Sequence, residues 1–219
     1  MELKNAIKGR KSIRDFKPDP VPRELIEQAL DAAIDAPSNS NRQPWEFVVV
    51  CGQKLKELAS KLEAAVERGR KSGRELLTWD DKYPAPEEGQ RRAKELMRGM
   101  MESAKAAGIS PAEFIRSNFR FFGAPCMIVV VMNKGYGPGS LLSIGAAVEN
   151  LLLKAYELGL GTCWMMIPLE YSDALREAFD LPQHKYIVST IAVGYPKDSK
   201  ITRFKSSRDP REKFVNWFE

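Results

Sequence analysis

The chain has 219 residues, 43% hydrophobic and 29% charged, which is ordinary for a globular protein with a substantial core and excludes disorder as the default. Its 34 Lys plus Arg exceed its 29 Asp plus Glu, a formal charge of +5, without the long basic block and interleaved aromatics of a nucleic-acid binder; so mild a bias suits a phosphorylated small ligand. No stretch approaches the roughly 18 consecutive apolar residues of a membrane span, and the opening MELKNAIKGRKS lacks the apolar core of a signal peptide, so a cytoplasmic protein with no membrane partner is expected.

In chain order, residues 2–9 fit a short helix, and DPVPRELIEQALDAAIDA fits a clearer one. Pro22 suits a first turn, Glu24 and Glu27 favour the positive end, and Leu25, Ile26, Ala29, Leu30, Ala33 and Ile34 make an apolar face that Pro37 brings to a stop. EFVVVCG (46–52) and APCMIVVVMN (124–133) are β-branched runs that read as strands buried on both faces. KYIVSTIAVGYP (185–196) is a third strand and GTCWMMI (161–167) a shorter fourth.

From Ser140 to about Leu158 the helical pattern is apolar nearly all round and Gly159 follows, which places that helix at the centre of the core or against a second subunit. Residues 69–109 are charged, carry two close prolines, and hold aromatics and methionines without strand alternation. Strands able to share one sheet flank them, so a single domain over 1–219 with an insertion or lid is expected. The tail, about 197–219, is basic yet ends in Phe214, Val215, Trp217 and Phe218, a cluster suited to docking on a partner subunit. Cys51, Cys126 and Cys163 lie far apart in apolar contexts, and the chain has one histidine. That arrangement predicts buried free thiols and no metal site.

Two segments carry chemistry. In RKSIRDF, Arg10, Lys11, Ser12 and Arg14 offer guanidinium, ammonium and hydroxyl donors to one anion, and an arginine fork matches a phosphate bidentately. In APSNSNRQPWEFVVV, Ser38, Asn39, Asn41 and Gln43 stand on a loop fixed by Pro37 and Pro44 between a helix and a strand, where amides suit the edge of a heterocycle. His184 with Ser143 or Ser189 does not make a hydrolase pattern, because no GxSxG is present.

These motifs, followed by ELGLGTCWM, LPQHKYIVSTIAVGYP and a basic tail in the same order, closely resemble the nitroreductase family of FMN-dependent oxidoreductases over most of the chain outside 69–109. The resemblance implies an α+β fold with a central, mostly antiparallel sheet flanked by helices, and an interlocked homodimer with FMN held between subunits. It implies phosphate and ribityl contacts from Arg10 and Ser12, with Lys11 beside them, and a cation, Arg14, near the N1 and O2 edge of the flavin. Pro37, Ser38, Asn39, Asn41 and Gln43 would face flavin and ribityl, Asn118 the pyrimidine edge, and Arg208 the phosphate, with Lys205 nearby. Backbone N–H groups in MMIPL, covering Met166, Ile167, Pro168 and Leu169, would face N5 and O4; Pro168 has no such donor, which leaves Ile167 or Leu169.

The same resemblance implies ping-pong hydride transfer from NAD(P)H through FMN to a small electron-poor acceptor such as a nitroaromatic or quinone. No side-chain acid, base or nucleophile is then required. Trp79, Tyr83, Met97, Met100 and Met101 are candidates for the acceptor pocket. The alternatives are a flavin-consuming or dehalogenating enzyme of the same fold, and a non-catalytic flavin-binding module.

Overall fold

The computed structural model describes residues 1–69, 71–76 and 85–219. Its centre is a four-stranded sheet in the order β1-β2-β4-β3, built from β1 (Glu46–Cys51), β2 (Cys126–Asn133), β3 (Gly161–Met165) and β4 (Lys185–Gly194), every neighbouring pair antiparallel. The strands match the four read from the sequence; their order rests on pairing between distant segments, which a single sequence does not display.

Strand β2 alternates by the two-residue period of extended chain. Met127, Val129 and Val131 enter one core, while Cys126, Ile128, Val130 and Met132 enter the other. The first core is closed by α3 (Gly52–Glu67) through Leu55, Leu58 and Leu62, by α7 (Ser172–Ala178) through Leu175, and by Phe114, Phe119, Phe121 and Phe122. The second is closed by α6 (Ser140–Glu157) and, outside it, α2 (Arg23–Ile34), where Ile26, Ala29 and Ala33 meet Ala147, Val148, Leu151 and Ala155. Covered by α2 on one side and the sheet on the other, α6 is apolar because it lies within the core. Its Leu142 is nonetheless 81% exposed.

Two expectations need correction. β1 is an edge strand, not one buried on both faces: among the described residues no strand pairs beyond it, and of its own six residues only Val50 is buried. Nor are all three cysteines free: Cys51 and Cys126 face each other in the β1–β2 register with Cα atoms 4.2 Å apart and form a disulfide, leaving Cys163 as the buried free thiol. The 75-residue separation hid a pairing that the antiparallel register creates.

After α1 (Leu3–Gly9) the chain runs extended along β3 as a short parallel addition to the sheet, with Ser12 bridged to Thr162 and Ile13 N–H donating to Thr162 O at 2.8 Å. Gly161 permits this: a Cβ there would meet Ile13 Cγ1 at 2.7 Å and Pro196 Cγ at 2.8 Å. Ile13 turns into the core, and Ser12 and its neighbours Arg10 and Arg14 line a cleft.

Within 69–109 stands α4 (Glu87–Ala106), followed by α5 (Pro111–Ser117). Met100 is buried in the core and Met101 packs against it, so these two serve packing. Gly99 leaves room for Phe204, which follows the single turn α8 (Lys200–Arg203), so the C-terminal segment lies against α4. At the near end of the insertion, Arg176 pairs with Glu75, and Glu75 also accepts the Ile187 N–H at 3.0 Å, next to an irregularity in the β2–β4 pairing. Trp79 and Tyr83 lie outside the described residues.

Candidate functional site

The segment 10–14 and the segment 205–208 come from opposite ends of the chain and meet. Arg10, Lys11, Ser12, Arg14, Lys205 and Arg208 all line one cleft of about 1170 Å³. Arg10, Ser12 and Arg208 also line an adjoining cleft of about 490 Å³. α1 fixes the start of this arrangement, since Arg10 N–H caps it by donating to Ala6 O at 2.9 Å, and β3 fixes the rest.

Like charges crowd here. Burial first, and then the Lys205 cation, holds the Lys11 ammonium below the usual lysine range. Lys205 donates to Lys8 O at 2.8 Å, and Arg208 donates to Ser206 Oγ at 2.7 Å and Ser207 O at 2.8 Å. Cations gathered in one cleft, with bonds to neutral acceptors, form a site whose electrostatics improve when an anion enters. Within the two terminal segments Arg10 is the exception, since its Nε–H donates to Glu149 of α6 at 3.1 Å. Beneath this layer burial pushes the Cys163 thiol up, a shift opposed by Arg14 and by a bond with Ser12.

The smaller cleft supplies an apolar surface. Thr162, Trp164 and Met166 alternate along β3 and its end to line it, while Cys163 and Met165 point into the core. Trp164 is 42% exposed, and Met166 and Ile167 are also exposed. Large apolar side chains left open beside a cationic cleft suit a flat aromatic ligand that carries an anionic group. Beyond Met166 a 3-10 turn spans Ile167–Glu170. Leu169 N–H is used inside it, donating to Met166 O at 3.1 Å, and Pro168 has none. Of the two donors considered for this segment, Ile167 heads the turn, where a first-turn N–H has no partner of its own.

Other candidates stand elsewhere in the chain. The loop from Ser38 to Gln43 does not line these clefts; it abuts the start of α6, with Asn39 N–H donating to Ser143 Oγ at 3.3 Å. Its backbone is strained: Ser40, Asn41 and Gln43 have φ of 53°, 53° and 46°. Gln43 N–H donates to Ser38 Oγ and its side-chain amide to Asn41, bonds that hold the loop in this form. Asn118 is buried, with its amide donating to Phe114 O and Ile115 O, and it lines neither cleft. On α4 the wall of the larger cleft is made by Arg92, Ala93, Glu95 and Leu96, while Met97 points away and is exposed.

Glu149, Leu152, Thr162, Trp164, Phe204 and Asp209 line the clefts and were not anticipated. The alternation of GTCWM could have indicated Trp164; nothing in the sequence singles out Glu149. Among the described residues, no cluster of His, Cys, Asp and Glu is placed to hold a metal, and no helix is long and apolar enough to cross a membrane.

Known proteins share the sequence pattern and the fold. The model of the nitroreductase family matches residues 7–195. A 4-nitrobenzoate reductase of Nocardioides sp. (strain LMS-CY) is 30% identical over 96% of this chain and 87% of its own. Among solved structures, the FMN- and NADPH-dependent nitroreductase NfnB from Sphigopyxis sp. strain HMH superposes with a TM-score of 0.91 at 22% identity, covering all of both chains. The FMN-dependent NfnB of Mycobacterium smegmatis, in complex with NADPH, gives 0.85 at 23% identity over 99% of this chain and 97% of its own.

Proposed function

The chain belongs to the nitroreductase family, and from that premise we propose that it is an FMN-dependent NAD(P)H oxidoreductase acting on small electron-poor acceptors, nitroaromatics first among them. The observation that carries this reading is the meeting of Arg10, Lys11, Arg14, Lys205 and Arg208 in one cleft beside the open apolar end of β3.

The residues present fit the cofactor. Arg10, Ser12 and Arg208, which line both clefts, would hold the phosphate, with Lys11 and Lys205 completing its charge balance. Trp164, Met166 and Ile167 would support the ring. Ile167 N–H would serve its polar edge, and Arg14, on the larger cleft only, would stabilise negative charge that builds on reduction. Bound FMN supplies the hydride chemistry, so the chain contributes orientation, charge and exclusion of water, and no side chain transfers the hydride. Donor and acceptor would use the same open face in turn, which is the ping-pong order. The wall from α4 bounds that face and gives 69–109 the role of a lid.

The loop from Pro37 to Gln43 lies outside these clefts in its own protomer, and the aromatic tail is exposed, Trp217 at 77% and Phe218 at 96%. Both features support a homodimer in which the tail covers the partner and the loop completes the partner's site.

Titration of the apoprotein with FMN tests the assignment. Arg208→Ala is expected to weaken binding roughly 10- to 100-fold, the range for losing one charge-assisted contact. Wild-type apoprotein that takes up no FMN contradicts the reading.

A further inference from the structure

Glu149 is a carboxylate in a cleft otherwise suited to an anion. Among the described residues three carboxylates line the larger cleft, and two of them are engaged with other cations: Glu95 with Arg91, and Asp209 with Arg91, Arg92 and Lys213. Of the three, Glu149 is the one that bonds a cation assigned here to the phosphate, and it lines both clefts. It rises from the most apolar helix of the fold, between the buried Val148 and Leu151. A carboxylate placed there repels an incoming phosphate, so its presence calls for a compensating role.

Arg10 explains it. The backbone of Arg10 is tied to α1, and three residues on Ile13 is tied to β3, so the flexible part of Arg10 is its side chain. Glu149 accepts from Nε at 3.1 Å, with the arginine side chain 23% exposed. A guanidinium has five N–H donors in a rigid plane; with Nε occupied, the edge formed by the two Nη nitrogens is left for a bidentate oxyanion. We propose that Glu149 is a positioning residue, which by holding Nε–H fixes the Arg10 fork toward the phosphate of FMN. The assignment rests on the cofactor reading above.

The test is titration of the apoprotein with FMN and, separately, with riboflavin, followed by quenching of flavin fluorescence, in the wild type and in Glu149→Ala and Glu149→Gln. Glu149→Ala is expected to bind FMN about tenfold more weakly, equivalent to about 1.4 kcal/mol, with riboflavin binding unchanged because it has no phosphate. Glu149→Gln keeps an oxygen acceptor and removes the repelling charge, so it is expected to bind FMN at least as tightly as the wild type. Wild-type affinity or better in Glu149→Ala overturns the assignment, since the carboxylate then competes with the phosphate for Arg10. Equal weakening of FMN and riboflavin also overturns it, by showing a general structural role. Wild-type protein that takes up no FMN overturns the cofactor reading and this assignment together.

Discussion

Arg14 and Lys11 separate two uses of positive charge in one cleft. Arg14 lines only the larger cleft, whereas Arg10, Ser12 and Arg208 line both, and in the proposed reading its guanidinium meets the charge that develops during reduction. Arg14→Gln is therefore expected to lower kcat by about 100-fold, the loss typical of one pre-placed donor, with a smaller effect on FMN affinity; stopped-flow reduction and flavin titration measure the two. Lys11 is held below the ordinary lysine pKa by burial and by Lys205. Its charge is then lost at lower pH than that of an exposed lysine, ordinarily about 10.4, so FMN affinity is expected to fall with rising pH before that point. In Lys11→Arg, whose side chain stays charged, the fall is expected to vanish. Part of this scale was legible: the sequence marked Arg10, Lys11, Ser12 and Arg14 as donors that could share one anion, and the structure brings all four to one cleft. Glu149 was not, because one carboxylate in an apolar helix reads as a surface position until Arg10 is seen beside it. Leu96, and not Met97, lines the larger cleft, because the phase of α4 about its axis is set by packing, at about 100° per residue.

At the scale of elements, Asp209 joins the tail to α4. It bonds Arg92 at 3.0 Å and lies near Arg91 and Lys213, while Arg92 stacks 5.6 Å from the centre of the Phe214 ring. The Arg92 bond, foremost, holds the Asp209 carboxyl below the usual range. A depressed folded-state pKa stabilises above the unfolded value, about 3.9, and that contribution is lost as pH falls through the folded value. Docking of the tail is expected to persist at neutral pH and fail in acid, read by limited proteolysis after Arg208 or Arg211. Asp209→Asn is expected to loosen the tail at neutral pH and remove that transition. The Cys51–Cys126 disulfide closes a loop of 75 residues, worth about 4 kcal/mol in the chain-entropy model. Unfolding by denaturant with and without reductant is expected to differ by a substantial part of that amount, and unreduced denatured protein is expected to show one titratable thiol. The four strands and helices α1, α2 and α6 were legible from periodicity, whereas α4 lay in a segment read only as an insertion or lid. The disulfide was not, because it depends on the register of β1 against β2, which spacing does not encode.

For the whole molecule, the two halves of the predicted site lie apart in one protomer: cations and apolar strand end on one cleft, and the strained amide loop beside the start of α6. Leu142, Trp217 and Phe218 are exposed, and in the proposed homodimer they are the surface through which a second copy brings the two halves together. Removing residues 214–219 is expected to shift the protein from two chains toward one in sedimentation and to weaken FMN binding in parallel. The most direct test of the central claim is the absorbance spectrum of the purified protein, reconstituted with FMN where needed, before and after NADH or NADPH is added without oxygen. A yellow protein is expected, one that bleaches with at least one donor and regains its colour with 4-nitrobenzoate or a quinone. A protein that stays colourless after FMN is supplied, or a bound flavin that neither donor bleaches, would contradict the assignment of this chain as an FMN-dependent oxidoreductase.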